Sequence, residues 1–261
     1  GLMRLEGETD SDRLTWLGQH RLWLAIDLLA ERGDVPSDLA SRVRPLAEQQ
    51  RQAMRSQLDE DRRVVSALVD AGSSVLVLKG ALLGQTVYPT PEDRFRSDLD
   101  LLAAEDEIPA AERVLEDLGY TRPWKQQSAM PLRQSQWIRK SDKETWSVDL
   151  HWDLRNHPAL QDRFTFSELM ESSMPLPGLH DRARGMRTAH AMLNASMHYF
   201  NDYADQRPLQ WLLDKDLLWR RMSSDERAQC VDLACDRGLA GLAGLLAESL
   251  SLAGYEFGTP V

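Results

Sequence analysis

The sequence predicts an α/β (α+β) protein: a small mixed β-sheet core flanked by N-terminal helices and followed by a C-terminal helical subdomain. Three observations predict it. Ser74 to Leu78 (SVLVL) is an apolar run suited to a strand buried on both faces, and it gives way at Lys79-Gly80 to a helical composition. Thr145 to Trp152 alternates strictly, with Trp146, Val148, Leu150 and Trp152 on one face and Ser147, Asp149 and His151 on the other. On both sides of this region apolar residues recur at helical spacing. The expected parts are residues 1–72 (helical), 73–158 (the α/β core) and 159–261 (helical).

Taken in order, residues 1–12 are polar and acidic and read as a frayed end. Leu14, Leu17, Leu22, Leu24, Ile26, Leu28 and Leu29 predict one helix from Arg13 to about Arg32, stopped near Gly33. Pro36-Ser37-Asp38 opens a second helical region, in one or two pieces, reaching Ala71-Gly72; its polar middle, Glu48 to Gln52, reads as a solvated face. After the strand at 74–78, a helix should end near Tyr88, since Pro89 and Pro91 cannot continue it. Thr90 to Ser97 is a loop, and a second strand carries Asp98-Leu99-Asp100. Ile108 to Leu118 is a helix ending at Gly119, leading to a strand near Tyr120 to Arg122. Pro131 to Lys140 reads as a strand, and Ser141-Asp142-Lys143 as a hairpin turn into the Asp149 strand. Pro175 to Gly178 is a break. Four helices follow, over 187–203, 207–222, 224–237 and 239–253, the third opened by a capping signal at Ser223 to Glu226, and 254–261 is a tail.

Composition narrows the function. With 261 residues, 42% of them hydrophobic, the chain buries a sizeable core. A net charge of −10 disfavours non-specific nucleic-acid binding, which cationic surface supplies. No 18-residue apolar stretch spans a membrane, and no secretory pattern opens the chain. Cys230 and Cys235 lie on different faces of one helix, so no disulfide is expected, and a reducing cytoplasm fits.

Residues two apart on a strand share a face, so Asp98 and Asp100 project together. Adjacent carboxylates repel, and Mg²⁺, which favours oxygen ligands from carboxylates and phosphates, removes the repulsion. An isolated Asp-x-Asp is also common on ordinary edge strands. Its context here is Lys79-Gly80, where a strand turns into a helix N-terminus with N–H groups free for phosphate. Asp149 would bring a third carboxylate to the same face, enough for metal ions that activate a hydroxyl and hold a triphosphate in line.

Together, Leu78-Lys79-Gly80, Tyr88, Pro91, Arg94, Ser97-Asp98-Leu99-Asp100, Leu118-Gly119-Tyr120, Val148-Asp149-Leu150-His151-Trp152 and Leu209 to Asp214 resemble the uncharacterised nucleotidyltransferase family of the DNA polymerase β-like superfamily, over about residues 15–250. The resemblance implies Asp98, Asp100 and Asp149 as catalytic, metal-binding acids, with Mg²⁺ or Mn²⁺. It implies Lys79, Gly80 and Ser97 at the triphosphate, with Arg94 a further candidate. The superfamily's usual Gly-Ser pair is here Gly80-Ala81, and the interval from Gly80 to Asp98 is longer than typical. His151 is a candidate substrate contact or sheet support, and Asp214 and Lys215 are candidates for contact with nucleotide or acceptor. The implied reaction moves an NMP group from an NTP such as ATP to an acceptor hydroxyl, releasing pyrophosphate. A peptide, protein or small molecule is favoured as acceptor over tRNA. The rival reading is a catalytically inactive nucleotide-binding module of the same fold.

Overall fold

A computed structural model describes residues 10–123, 132–201 and 208–242. The N-terminal helices come as a pair and a long rod. α1 (Asp10–Gln19) and α2 (Trp23–Glu31) are separated at His20 to Leu22, where one helix was expected. The physical cause is Arg21, whose left-handed backbone (φ 58°) cannot propagate a right-handed helix. α3 (Ser37–Asp70) is a single helix of 34 residues containing Pro45. Val43, Ala47, Met54, Leu58, Val65 and Leu68 keep the spacing of one buried face along it. The polar middle is exposed at Glu48, Gln49 and Gln52, as expected, and also supplies Arg51, which pairs with Asp27 of α2 at 2.7 Å and with Asp93 at 3.0 Å.

The sheet runs β3-β4-β2-β1-β6-β5, with β1 (Val75–Val77), β2 (Leu99–Ala103), β3 (Gln134–Lys140), β4 (Thr145–His151), β5 (Met174–Pro175) and β6 (Arg184–Gly185). It is mixed, as expected: β2 with β4 and β1 with β6 are parallel, the remaining pairs antiparallel. The hairpin joining β3 to β4 turns through Ser141 to Glu144. The strand expected near Tyr120 reduces to one bridge, Thr121 to Ile138. β5 and β6 flank a segment read as a plain break, so the sheet extends past residue 158. Two-residue strands carry too little alternation to be seen in a sequence.

α4 (Lys79–Thr86) and α5 (Ile108–Asp117) follow β1 and β2. α6 (Phe166–Glu171), α7 (Thr188–Asn201), α8 (Gln210–Arg221) and α9 (Ser224–Asp236) make up the C-terminal helices, α9 opened by the expected Ser223/Glu226 capping box. The ends at 1–9 and 254–261, most of the expected helix at 239–253, and Pro131 lie outside the described residues. One core joins the sheet to α3, α4, α5 and the C-terminal helices. A second, smaller one (Leu17, Leu22, Leu24, Ile26, Val43 and Ala47) packs α1 and α2 on the first half of α3. Cys230 is buried and Cys235 exposed, both as free thiols. Among the described residues, no helix is long and apolar enough to cross a membrane.

Candidate active site

The site grows from the junction of β1 with α4. Leu78 N–H donates to the Asp100 carbonyl at 2.9 Å, which holds the end of β1 against β2. Lys79 then takes a left-handed backbone (φ 45°), turning the chain sharply into α4. A Cβ on Gly80 would lie 3.1 Å from Cβ of Arg96, a tight contact that a small residue avoids.

β2 begins at Leu99, so Asp98 sits just before the strand and Asp100 within it. The parallel register opposes Asp100 to Asp149 on β4, which brings the third acid alongside. Asp98, Asp100, Asp149, Lys79, Gly80, Ser97, Arg94 and Asp214 all line one cleft of about 400 Å³. All three acids, both residues of the Lys-Gly turn and Ser97 are therefore brought together.

Their charges are unequal. Burial pushes the Asp100 carboxyl up, but Lys79 and His151 outweigh it and hold it well below the usual carboxylate range. Lys79 Nζ lies 2.5 Å and His151 Nε2 2.9 Å from the same oxygen, Oδ1. Burial and Lys79 bring His151 down to about 4, so at neutral pH the ring is uncharged and its Nε2–H donates to the carboxylate. Asp98 is pushed up to about 6 by burial and by Asp100. Asp149 is pushed up to about 7 by burial, Asp100 and Asp98, and its buried Oδ1 has no hydrogen-bond partner.

An orphaned carboxylate oxygen among like charges is a fit for a divalent cation. Asp100, Asp149 and His151 each offer a ligand atom within 4.8 Å of the others. Asp98, expected as a ligand, borders this group on the cleft wall. His151, a candidate substrate contact, is buried behind Asp100 and does not line the cleft.

Arg94 was expected to neutralise a triphosphate, but it is buried and forked onto Asp214, with Nε to Oδ1 at 2.7 Å and Nη2 to Oδ2 at 2.6 Å. Tyr88 Oη donates to the same carboxylate at 2.7 Å. Asp214 thus reaches the cleft as the partner of Arg94. Lys215 is fully buried, with Nζ 3.8 Å from the centre of the Tyr199 ring, and does not reach the cleft.

Sequence reasoning missed several lining residues. Arg96 pairs with buried Asp61 of α3, its Nη2 2.7 Å from Oδ2. Arg155 Nη2 bonds both the carbonyl and the side-chain oxygen of Asn194 at 2.6 Å, and His198 packs on Trp211 with ring centres 4.3 Å apart. Arg21 enters from the break between α1 and α2. No sequence signal marks that break, since the apolar periodicity runs straight through it.

A solution structure of the antibiotic-resistance factor ANT(2″)-Ia is similar at a TM-score of 0.47 and 11% identity, over 78% of this chain and 98% of that one. A crystal structure of ANT(2″)-Ia with adenylyl-2″-tobramycin gives 0.47 at 12% identity, over 70% and 97%. JHP933 from Helicobacter pylori gives 0.40 at 12%, over 82% and 97%. No curated protein matches the sequence. The model of the uncharacterised nucleotidyltransferase family matches residues 9–251, nearly the whole chain, and the protein belongs to that family.

Proposed function

We propose that this nucleotidyltransferase moves an NMP group from an NTP to an acceptor hydroxyl in a Mg²⁺- or Mn²⁺-dependent reaction. One observation carries the reading: Asp98, Asp100 and Asp149 converge on one cleft wall beside Lys79, with an oxygen of Asp149 buried and unpartnered. Asp98, Asp100 and Asp149 hold the metal, with His151 orienting Asp100 from behind. The bound metal supplies charge neutralisation at phosphorus and activation of the attacking oxygen. Lys79, the Gly80 turn at the start of α4, and Ser97 form the end of the cleft that receives the donor's phosphates. Asp149 is placed to take the acceptor's proton as the bond from acceptor oxygen to the α-phosphorus forms and pyrophosphate leaves. The α/β core, residues 73–158, carries this machinery, and Arg21 before it and α7 and α8 after it complete the cleft. The acceptor is a peptide, protein or small molecule rather than tRNA, and two free thiols suit a cytoplasmic enzyme.

The test is thermal unfolding with each NTP, with and without Mg²⁺ or Mn²⁺. Ligand at about 100 times its dissociation constant adds roughly 2.7 kcal/mol. A metal-dependent shift with one NTP, absent in Asp98→Asn, supports the reading, and pyrophosphate release then screens acceptors. An Asp98→Asn protein with wild-type turnover sinks it.

A further inference from the structure

We propose that Arg21 is a phosphate-binding residue of the cleft, taking the polyphosphate chain of the donor and the pyrophosphate that leaves. The proposal rests on the nucleotidyl-transfer reading and deepens it. Its first support is the way α1 ends. Leu22 N–H donates to the Leu17 carbonyl at 2.9 Å and Arg21 N–H to the Gly18 carbonyl at 2.9 Å. These paired bonds form a Schellman motif, whose residue just past the helix adopts left-handed backbone. α2, α3, α5 and α9 end with the same pair of bonds, and there that residue is Gly33, Gly72, Gly119 and Gly238. Only at α1 is it a residue with a Cβ, an arginine at φ 58°. Left-handed backbone disfavours side chains, so the arginine stands against local preference and its side chain is the place to look for a reason.

That side chain lines the cleft with Lys79, Arg94, Asp98 and Asp214. Its guanidinium makes no hydrogen bond or ion pair with any described residue, and packs 5.4 Å from the centre of the Phe95 ring. Burial and the nearby Arg94 lower its pKa, against the pull of Asp98 and Asp214, as expected for a cation held short of counter-charge. Other cations of the cleft are committed: Lys79 to Asp100, Arg94 to Asp214 and Arg96 to Asp61. A planar fork of N–H donors without a carboxylate of its own matches phosphate oxygens bidentately. The role expected of Arg94 thus passes to an arginine on the N-terminal helices.

The experiment measures binding of inorganic tripolyphosphate and pyrophosphate, by calorimetry and thermal shift, to wild type, Arg21→Gln, Arg21→Lys and Arg21→Gly. Arg21→Gln should weaken tripolyphosphate binding about tenfold to a hundredfold, the range of one charge-assisted contact, and Arg21→Lys should recover part. Arg21→Gly keeps the fold testable, because it suits the left-handed backbone: it should unfold at or above the wild-type temperature and still lose binding as Arg21→Gln does. A folded Arg21→Gly that binds tripolyphosphate like wild type overturns the proposal and leaves nucleotidyl transfer standing. So does an Arg21→Gln enzyme whose KM rises for the acceptor alone. Wild type that takes neither tripolyphosphate nor any NTP, with or without Mg²⁺, overturns both.

Discussion

Asp149 works against the stability of the fold that holds it. Burial, Asp100 and Asp98 lift its carboxyl from the ordinary 3.8 to about 7, so the metal-free fold favours the protonated acid. The sign follows from linkage: this contribution is complete below pH 3.8 and is lost as pH rises through 7. Asp149→Asn removes the charge and keeps the shape. In chelator at pH 8 the variant should melt about 2–4 °C above wild type, roughly 1 kcal/mol for a chain of this size, and the gap should close toward pH 4. Transfer activity should fall to background in the same variant, a trade expected where function imposes repulsion. A variant less stable than wild type at pH 8 would mean that Asp149 is satisfied in the fold and is no metal ligand. At this scale the sequence was informative where spacing carries geometry. Asp98 and Asp100 lie two apart, and Asp149 sits mid-strand with polar neighbours on its face. It was uninformative where the decisive partner is remote: nothing in the sequence pairs Asp214 with Arg94, 120 positions away.

Between elements, two charge clusters join distant parts of the chain, the first of them buried in the cleft wall. Arg94 with Asp214 ties the loop before β2 to α8, and removing one partner leaves an uncompensated buried charge. Arg94→Met or Asp214→Leu alone should cost about 3–5 kcal/mol in denaturant unfolding, while the double variant should regain most of the loss. Equal and additive losses would show that the two side chains do not interact. Glu60 of α3 is the second hub. It receives Arg63 Nη2 at 2.6 Å, Arg139 Nη2 of β3 at 2.6 Å, and Tyr120 Oη at 2.6 Å. Burial opposes ionisation, but these donors bring Glu60 down from 4.5 to about 2. A depressed carboxylate contributes stability above pH 4.5 that is lost as pH falls toward 2. Wild type should therefore lose stability across that window more steeply than Glu60→Gln, which starts lower; parallel curves would remove Glu60 from the account. Element identity was legible wherever a strand or helix had length, as in β4 or α9. The α1–α2 break was not, because an arginine occupies a position that elsewhere in this chain is glycine and so announces the turn.

Over the whole molecule, net charge bears on the kind of acceptor that would be drawn to the cleft. The chain carries 41 acidic against 31 basic residues, and its long-range field repels a polyanion. Arg94 and Arg96, which composition alone would count toward nucleic-acid affinity, are spent inside the fold on Asp214 and Asp61. Neither is then available to displace the counterions of a nucleic acid. Binding to RNA through several phosphates would make log affinity fall against log salt by about 0.7 per contact on a single strand. The acceptor's KM, measured between 50 and 300 mM salt with donor saturating, should instead change with a slope smaller than about 1, equivalent to at most one or two phosphate contacts. A slope of several units would mean that the acceptor is held through several phosphates. Acceptor chemistry would then move to tRNA, with the carboxylate wall and the donor site unchanged. A shallow slope, with Arg21→Gln altering the donor's KM alone, would assign the cleft's accessible positive charge to the donor. The acceptor would then be held by the polar and aromatic wall of Asn194, His198 and Trp211, as suits a neutral small molecule or a peptide side chain.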